Sequence, residues 1–503
     1  MFTLTNSQQQ AIANAFRASL AAGATNTGSV NWAYAINEIN LDFLAANETV
    51  AAVFTVTMTD NSGATAAQDV AVQLTGANDA PRAQLTSVPL PALAEDSSAQ
   101  ATVSQLFNSS GVNAAYGDPD YSSMGDPFAG VVVVGNAATT TQGYWLYSDD
   151  ASSGVWNFVP TGASLSSGLL LPATASLRFE PTANWNGTVG ALTVRLVDGS
   201  AGTPTSSSTV NINASNATGG TTRYAGSADA ITLTASVSAV NDAPVVSLAT
   251  ANLATIPEDT TNASGASVSS FVASSFSDPT DQVSGGSSAN SFAGVAIVTY
   301  SAASAKGRWE YSSNAGGNWS TIAAVSSAAA AFSLKSTDWI RFVPAQDFNG
   351  AAPTLEVVLI DSSATVTTAT LIDASNRGGT SAFSNGTVVI SHNVSAVNDA
   401  PVLNPPAIFN LIEDNTGNLT FGSNTFVDVD AGSGLLKATL SISDGYLQVS
   451  SSNLGGVSLD PASTPTNRIF VGTVASLNNF FSTAGNIRYT PALNNDTQRT
   501  LTL

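Results

Sequence analysis

The nine residues Val237-Ser-Ala-Val-Asn-Asp-Ala-Pro-Val245 recur without change from Val394 to Val402, and the related stretch Thr75-Gly-Ala-Asn-Asp-Ala-Pro81 lies earlier in the chain. The aspartates of these junctions, at positions 79, 242 and 399, are separated by 163 residues and then by 157. Such a period is the size of a folded domain and not that of a short solenoid repeat. The sequence therefore predicts a row of tandem domains.

Shorter motifs also recur between the junctions, in the same order in each interval. They are Phe128-Ala-Gly-Val131 with Phe292-Ala-Gly-Val295, Gly143-Tyr-Trp-Leu-Tyr147 with Gly307-Arg-Trp-Glu-Tyr311, and Arg178-Phe-Glu-Pro181 with Arg341-Phe-Val-Pro344. Ile487-Arg-Tyr-Thr-Pro491 is a third, divergent copy of the last motif. We expect four units, at 1–81, 82–244, 245–401 and 402–503, the first truncated and the last incomplete.

Apolar and polar residues alternate along short runs such as Ile231 to Ser238, which is the period of a strand with one face on a core. Gly, Asn, Asp and Pro clusters separate these runs, and helix-length amphipathic segments between them are missing. The predicted fold class is all-β, with antiparallel β-sandwich domains in an elongated array. One short N-terminal helix is expected, because Ser7 and Gln10 resemble a capping box and Ile12, Phe16 and Leu20 form one helical face.

The chain carries 35 Asp and Glu against 14 Lys and Arg, so its formal net charge is −21. This charge repels phosphate backbones and anionic membrane surfaces, and nucleic acid is not expected as a partner. Clustered carboxylates also repel one another unless cations neutralise them, which favours a divalent metal.

Cysteine is absent, so thiolate sites and disulfides are excluded. The single histidine, His392, is expected to be a surface or rim residue, which leaves Ser-His-Asp catalysis and histidine-rich zinc sites unsupported.

The segment from Leu4 to Pro81 resembles a VCBS repeat that lacks its early strands. The resemblance rests on Trp32-Ala-Tyr34, Asn40-Leu-Asp42, Thr55-Val-Thr-Met-Thr-Asp60 and the closing Gly-Ala-Asn-Asp-Ala-Pro. The units after Pro81 and Pro244 resemble the cadherin-like, immunoglobulin-like repeats of large bacterial surface adhesins, including those of the RTX type. That resemblance implies an extracellular extender or adhesive role, calcium at the domain junctions, and neighbouring repeats in one longer polypeptide. The nonapeptide calcium repeat of RTX proteins is missing.

Calcium takes six to eight oxygen ligands from carboxylates, Asn side chains and carbonyl groups, and each junction offers such a set. We expect Ca²⁺ to bind there, with Asn241, Asp242, Glu258, Asp259 and the Asp278/Asp281 loop at one junction. In the cadherin-like arrangement, a strand-end aspartate also contributes. The candidate ligands are Asn78, Asp79, Glu95, Asp96, Asp118, Asp120, Asp198, Asn241, Asp242, Glu258, Asp259, Asp278, Asp281, Asp361, Asn398, Asp399, Glu413, Asp414, Asp428 and Asp430.

Other interpretations stay open at this stage. The Asn and Asp residues could form turns through bonds to their own backbone, while the Glu and Asp pairs remain solvated. The tryptophans, among them Trp145 and Trp309, could stack on sugars in a carbohydrate-binding or matrix-binding module, although core packing is the more usual role. A third interpretation is the non-catalytic region of a secreted hydrolase. Catalysis is not expected, because an active site is normally unique whereas these acids repeat.

No stretch reaches the ~18 apolar residues of a membrane span, and the start lacks the residue order of a secretory signal. The chain begins inside one repeat and stops at Leu503, before a closing strand and exit motif. We therefore expect a fragment of a secreted or cell-surface adhesin whose export signal lies elsewhere in the polypeptide. The adhesive ligand, on a cell surface or in a matrix, is not identified by the sequence.

Overall fold

The structure is a computed structural model that describes residues 3–21, 29–109, 114–122, 126–451, 454–494 and 497–503. The side chains of residues 38, 121 and 122 lie outside the described part. Strands dominate the described residues, which confirms the all-β prediction. Within these residues, no helix combines the length and the apolar character that a membrane crossing needs.

The first unit holds a helix at Asn6–Asn14 and two hairpins, Phe16–Leu20 with Val30–Tyr34 and Thr49–Thr59 with Thr65–Thr75. The predicted helix is present, but its capping box is formed by Thr5 and Gln8 instead of Ser7 and Gln10. Phe16 and Leu20 lie in a strand and not on the helix. Phe16 stacks on Phe54 of the other hairpin with ring centroids 4.4 Å apart.

The second unit packs a large sheet against two smaller ones around Trp145, Phe179 and Leu196. The large sheet has the order Ser208–Val210, Gly168–Pro172, Phe128–Asn136, Leu192–Asp198, Ala230–Thr234 and Ser87–Pro89. The smaller sheets are Asn157–Phe158, Gly143–Ser148, Ser176–Pro181 and Ala99–Thr102, and Gly187–Thr188, Ser236–Ser238 and Leu93–Ala94. Arg82–Ala83 pairs with Tyr116–Gly117, and a short helix spans Val103–Phe107.

The third unit repeats this arrangement around Trp309, Phe342 and Leu359. Its large sheet has the order Thr250–Asn252, Val388–Ser391, Leu355–Asp361, Phe292–Thr299, Ala331–Lys335 and Leu371–Ile372. The smaller sheets are Ala266–Ser267, Trp339–Pro344, Gly307–Ser312 and Ser320–Thr321, and Ile256–Pro257, Asn393–Ser395 and Gly350–Ala351. Val245–Val246 pairs with Phe276–Ser277, and a short helix spans Val268–Val272.

The fourth unit packs a helix at Val474–Ser482 into a core around Phe470, Phe480 and Phe481. Its sheets are Ser458–Leu459, Asn467–Gly472, Leu436–Ile442 and Leu501–Thr502, then Gly417–Asn418, Ile487–Thr490 and Tyr446–Val449, and Val402–Leu403 with Phe426–Val427. This helix and those at Val103–Phe107 and Val268–Val272 were not predicted.

In chain order, the first strand of the large sheet in the second unit runs parallel to the last strand of that sheet. Ser87–Pro89 pairs with Thr232 to Thr234, and Leu93–Ala94 continues beside Val237 and Ser238. The third unit has the same pairing between Thr250–Asn252 and Val389 to Ser391. In these two units, the first strand of the large sheet therefore carries the chain from the entry end to the exit end.

His392 is 4% exposed and packs against Trp309 and Phe342, so the prediction of a surface or rim residue was wrong. Val388 and Ile390 of the same run are also buried, so the alternation itself directs His392 inward. Burial lowers the pKa of its imidazole below the ordinary value. The histidine contributes to the core of the third unit.

Trp145 and Trp309 occupy matching core positions, 1% and 0% exposed. Their indole N–H groups donate to the carbonyls of Gly190 at 2.9 Å and Pro353 at 2.7 Å. Buried indoles with a satisfied N–H are structural, so neither of these two side chains offers a face to a sugar.

Candidate metal sites at the junctions

The first Asn-Asp junction lies against the entry end of the second unit. The side-chain amide of Asn78 donates to Asp198 at 3.5 Å, and the backbone N–H of Asp79 donates to Asp120 at 2.7 Å. The backbone N–H of Asp120 in turn donates to Asp118 at 3.0 Å. The structure thus brings together five of the residues predicted as ligands.

Burial makes this cluster electrostatically costly. Asp120 and Asp198 are both 0% exposed. Burial, followed by repulsion from neighbouring carboxylates, raises the pKa of Asp120 to about 7, and burial raises that of Asp118 to about 6. Among the described residues, no Lys or Arg side chain forms an ion pair with Asp118, Asp120 or Asp198. A cation would remove both the repulsion and the desolvation penalty.

Several oxygen atoms at this end are buried without a hydrogen-bond donor among the described residues. They are Oδ1 of Asn78, Oδ1 of Asp120 and Oδ2 of Asp126. Buried acceptors without a donor are rare in folded proteins, and oxygen is the ligand that Ca²⁺ prefers. The donor set therefore fits calcium. Asp126 was missed by the sequence reasoning, although it lies two residues before the repeated Phe128-Ala-Gly-Val motif.

The second junction repeats these contacts. The amide of Asn241 donates to Asp361 at 3.4 Å, and the backbone N–H of Asp242 donates to Asp281 at 3.0 Å. Burial raises the pKa of Asp278 to about 6 and that of Asp242 above its ordinary value, with Asp281 adding repulsion in both cases. Asp278 also has a buried oxygen, Oδ1, without a donor among the described residues.

The Glu-Asp pairs lie at the exit ends of their units. Glu95 accepts from the backbone N–H of Val240 and, at 3.0 Å, from the amide of Asn186. Glu258 accepts from Val397 at 2.6 Å and from Asn349 at 3.0 Å. Each pair therefore belongs with the junction that follows its unit.

The predicted grouping of Glu258 and Asp259 with Asp242 is not what the structure shows. The parallel first strand carries these two residues along the length of the third unit, from the second junction to the third. The carboxylates beside Asp242 are instead Glu95 and Asp96, which add to the rise in its pKa after burial and Asp281.

At the third junction, one carboxylate oxygen from each of Asp259, Asp347 and Asp399 lies within 4.8 Å of the other two. The backbone N–H of Asp399 donates to Asp430, and that of Asp430 donates to Asp428 at 3.1 Å. The third unit and its linker thus supply the three clustered carboxylates, and the fourth unit contacts the same linker through Asp430. Asp347 was missed, although it lies two residues before Asn349-Gly350, which corresponds to Asn186-Gly187 in the second unit.

The remaining candidates form fewer contacts. Asn398 is exposed, and its amide donates to the carbonyl of Asp399 at 3.0 Å. Asp414 accepts from the backbone N–H of Asn494 at 2.8 Å, as Asp96 does from Asn184. By this contact, Glu413 and Asp414 occupy the exit end of the fourth unit and do not join Asp428 and Asp430.

No family model and no curated protein sequence matches the chain. Solved structures do show a resemblance. Protocadherin Gamma B7 extracellular cadherin domains 1–4 are 12% identical, with a TM-score of 0.36, over 92% of this chain and 85% of that one. Drosophila N-cadherin EC1–4 is 13% identical, with a TM-score of 0.19, over 91% and 90%.

A tetra-tandem repeat from the extending region of a large adhesion protein is 10% identical, with a TM-score of 0.15, over 91% of this chain and 80% of that one. TM-scores of this size carry no argument about fold or function. The fold class rests on the sheets and cores of this chain, and the VCBS and RTX resemblances stay predictions.

We expect the metal-free second unit to become more stable as the pH falls from about 7.5 to about 5. Asp120 has a folded-state pKa of about 7 against an ordinary value of 3.8. In this window the folded chain binds a proton that the unfolded chain does not, so acidification favours folding by ~1–3 kcal/mol. Calorimetry of the metal-stripped chain would measure the change. In Asp120→Asn, the stability should depend less on pH. A wild-type stability that decreases as the pH falls through this window would contradict the expectation.

Proposed function

We propose that this chain is the extender region of a secreted or cell-surface adhesin, and that Ca²⁺ bound at its domain junctions makes it rigid. The observation that carries the proposal is the repeated convergence of buried carboxylate and Asn oxygens where one unit meets the next. A linker aspartate, an aspartate loop and a strand-end aspartate meet at the first two junctions. Repetition at domain spacing fits an architectural role, and the chain is proposed to be non-catalytic.

At the first junction, calcium would be held by Asn78, Asp118, Asp120, Asp126 and Asp198. The counterparts at the second are Asn241, Asp278, Asp281 and Asp361, with Asp242 facing Glu95 and Asp96 of the preceding unit. At the third, they are Asp259, Asp347 and Asp399. An ion at the second junction would tie the second unit to the third. An ion at the third junction would fix the linker whose backbone contacts Asp430 of the fourth unit. Such junctions would give a rigid rod that supports adhesion or biofilm formation at a distance from the cell.

We expect calcium to raise the melting temperature of the metal-free chain. A ligand that binds only the folded state at 100 times its Kd contributes about 2.7 kcal/mol per site. For domains of this size, each kcal/mol shifts Tm by roughly 2–4 °C, so a rise of about 5–10 °C is expected. Calorimetry in calcium and in excess EGTA would measure it.

Magnesium at the same concentration is the matched control. It demands a smaller octahedral site and should give less than half of the shift. Identical melting curves in calcium and in EGTA would refute the calcium part of the proposal.

A further inference from the structure

The first and second junctions share one framework of hydrogen bonds. Each linker Asn donates its amide to the strand-end Asp, at 3.5 Å from Asn78 and 3.4 Å from Asn241. Each linker Asp donates its backbone N–H to the loop Asp, at 2.7 Å for Asp120 and 3.0 Å for Asp281. The two sites can therefore be compared atom by atom.

One position in this framework carries a different residue. Phe128 and Phe292 both pair with the strand-end aspartate of their unit. Two residues before that phenylalanine stands Asp126 in the second unit and Asn290 in the third. A carboxylate at one junction thus corresponds to a neutral amide at the other.

At the second junction, the side chain of Asn290 donates to two of the candidate ligand oxygens. Its Nδ2 donates to Oδ1 of Asn241 and to Oδ2 of Asp281, both at 2.7 Å. Its backbone N–H also donates to Asp278 at 2.8 Å. Two acceptor oxygens therefore converge on one donor nitrogen, at a distance slightly longer than the ~2.3–2.6 Å of calcium from its ligands.

Ionised Asp126 has no proton to donate to the corresponding atoms. Oδ1 of Asn78 and the second oxygen of Asp120 are both left without a donor among the described residues, as is Oδ2 of Asp126 itself. Asn78 is 9% exposed and Asp120 is 0% exposed, so bulk water has little access to these oxygens and does not take the place of the Asn290 amide. At the second junction, the corresponding two oxygens accept hydrogen bonds from Asn290. At the first junction, these two oxygens can bind a cation instead.

We propose that the Asp126/Asn290 difference sets two calcium affinities along the chain, so that the first junction fills at a lower calcium concentration than the second. Among the positions that the two frameworks share, the first junction offers one more carboxylate, and calcium affinity rises with ligand charge. Glu95 and Asp96 lie beside Asp242 and outside this shared framework. At the second junction, calcium must displace the Asn290 amide from Asn241 and Asp281 before it binds. The inference rests on the proposed calcium function and adds an order of filling.

Reciprocal substitution in the full chain tests this order. Hydrogen exchange followed by mass spectrometry, with calcium titrated into the metal-free chain, gives a separate midpoint for peptides at each junction. The wild-type midpoint should be at least about tenfold lower at the first junction than at the second. Asp126→Asn should raise the first midpoint about tenfold or more and leave the second unchanged. Asn290→Asp should lower the second midpoint and leave the first unchanged.

Asp150→Asn removes one exposed charge from the second unit and should move neither midpoint. Core peptides from Leu192–Asp198 and Leu355–Asp361 report whether the variants remain folded. Calcium could protect both junctions while neither Asp126→Asn nor Asn290→Asp shifts a midpoint. That result would refute the order of filling and leave the calcium function standing. If calcium protects neither junction, the proposed function itself fails.

Discussion

Replacing Asp120 by asparagine is expected to stabilise the metal-free chain and to weaken its response to calcium. The carboxylate is 0% exposed and lies among other acids, so its charge destabilises the fold when no cation is bound. Asparagine keeps an oxygen for the backbone N–H of Asp79 and removes the charge. We expect the metal-free second unit to gain ~1–3 kcal/mol and the calcium-dependent gain at this junction to fall by more than half.

Hydrogen exchange of peptides from Leu192–Asp198 would report the stability of this unit separately from the others. Asp150→Asn is the matched control, because Asp150 is exposed and belongs to the same unit. Equal stabilisation by both variants would assign the effect to net charge rather than to the cluster. Loss of stability in Asp120→Asn without calcium would contradict the prediction.

Replacing Arg341 by methionine is expected to destabilise the third unit by ~3–5 kcal/mol, or roughly 10 °C in melting temperature. Arg341 forms an ion pair at 2.8 Å with Glu310, and both side chains are largely buried. Burial raises the pKa of Glu310, but hydrogen bonds and charge from Arg308 and Arg341 outweigh it and hold the pKa below its ordinary value. Removing Arg341 leaves the carboxylate with only exposed Arg308.

The second unit provides the matched control. Arg178 pairs in register with Leu146, as Arg341 does with Glu310, and both arginines lie 4.2 Å from the centroid of a tryptophan ring. Arg178→Met loses the same stacking but leaves no buried acid, since its partner Glu180 is exposed. We expect it to cost no more than about 1–2 kcal/mol. Equal costs in the two units would show that the buried pair adds nothing.

A double substitution, Arg341→Met with Glu310→Leu, should recover most of the lost stability, because an apolar pair replaces the ion pair in the same space. Calorimetry would compare the single and double variants. A double variant as unstable as Arg341→Met alone would attribute the loss to arginine packing.

Much of the fold follows from the sequence because its signals are local. The alternation of Ile231 and Leu233 with threonine predicts a strand, and the repeated Gly-x-Trp-x-Tyr motif predicts a core tryptophan, both of which the structure confirms. The burial of His392 is also encoded locally, because this residue lies on the same face of its strand run as Val388 and Ile390. The prediction did not use that alternation. The short helix Val474–Ser482 lies in the unit whose sequence diverges most, where no repeat guided the prediction.

The candidate sites were harder to predict, because distance along the chain is a poor guide to distance in space. Glu258 follows Asp242 by 16 residues in the sequence, yet it contacts the backbone of Val397 at the other end of the unit. Only the parallel pairing of the first and last strands explains this placement, and strand direction is not encoded in a local motif. Asp126 and Asp347 lie in loops outside the acidic motifs, so only the position of a nearby repeat could have found them.

The parallel pairing of the first and last strands also decides how a unit bears mechanical load. Tension along the polypeptide pulls Ser87–Pro89 and Ala230–Thr234 in opposite directions along their own axes. The hydrogen bonds between them lie across that direction, so they are loaded together in shear instead of being opened one at a time. Thr250–Asn252 and Val388–Ser391 are arranged in the same way. Each of these two units should therefore resist stretching more strongly than a hairpin of equal length pulled open from its ends.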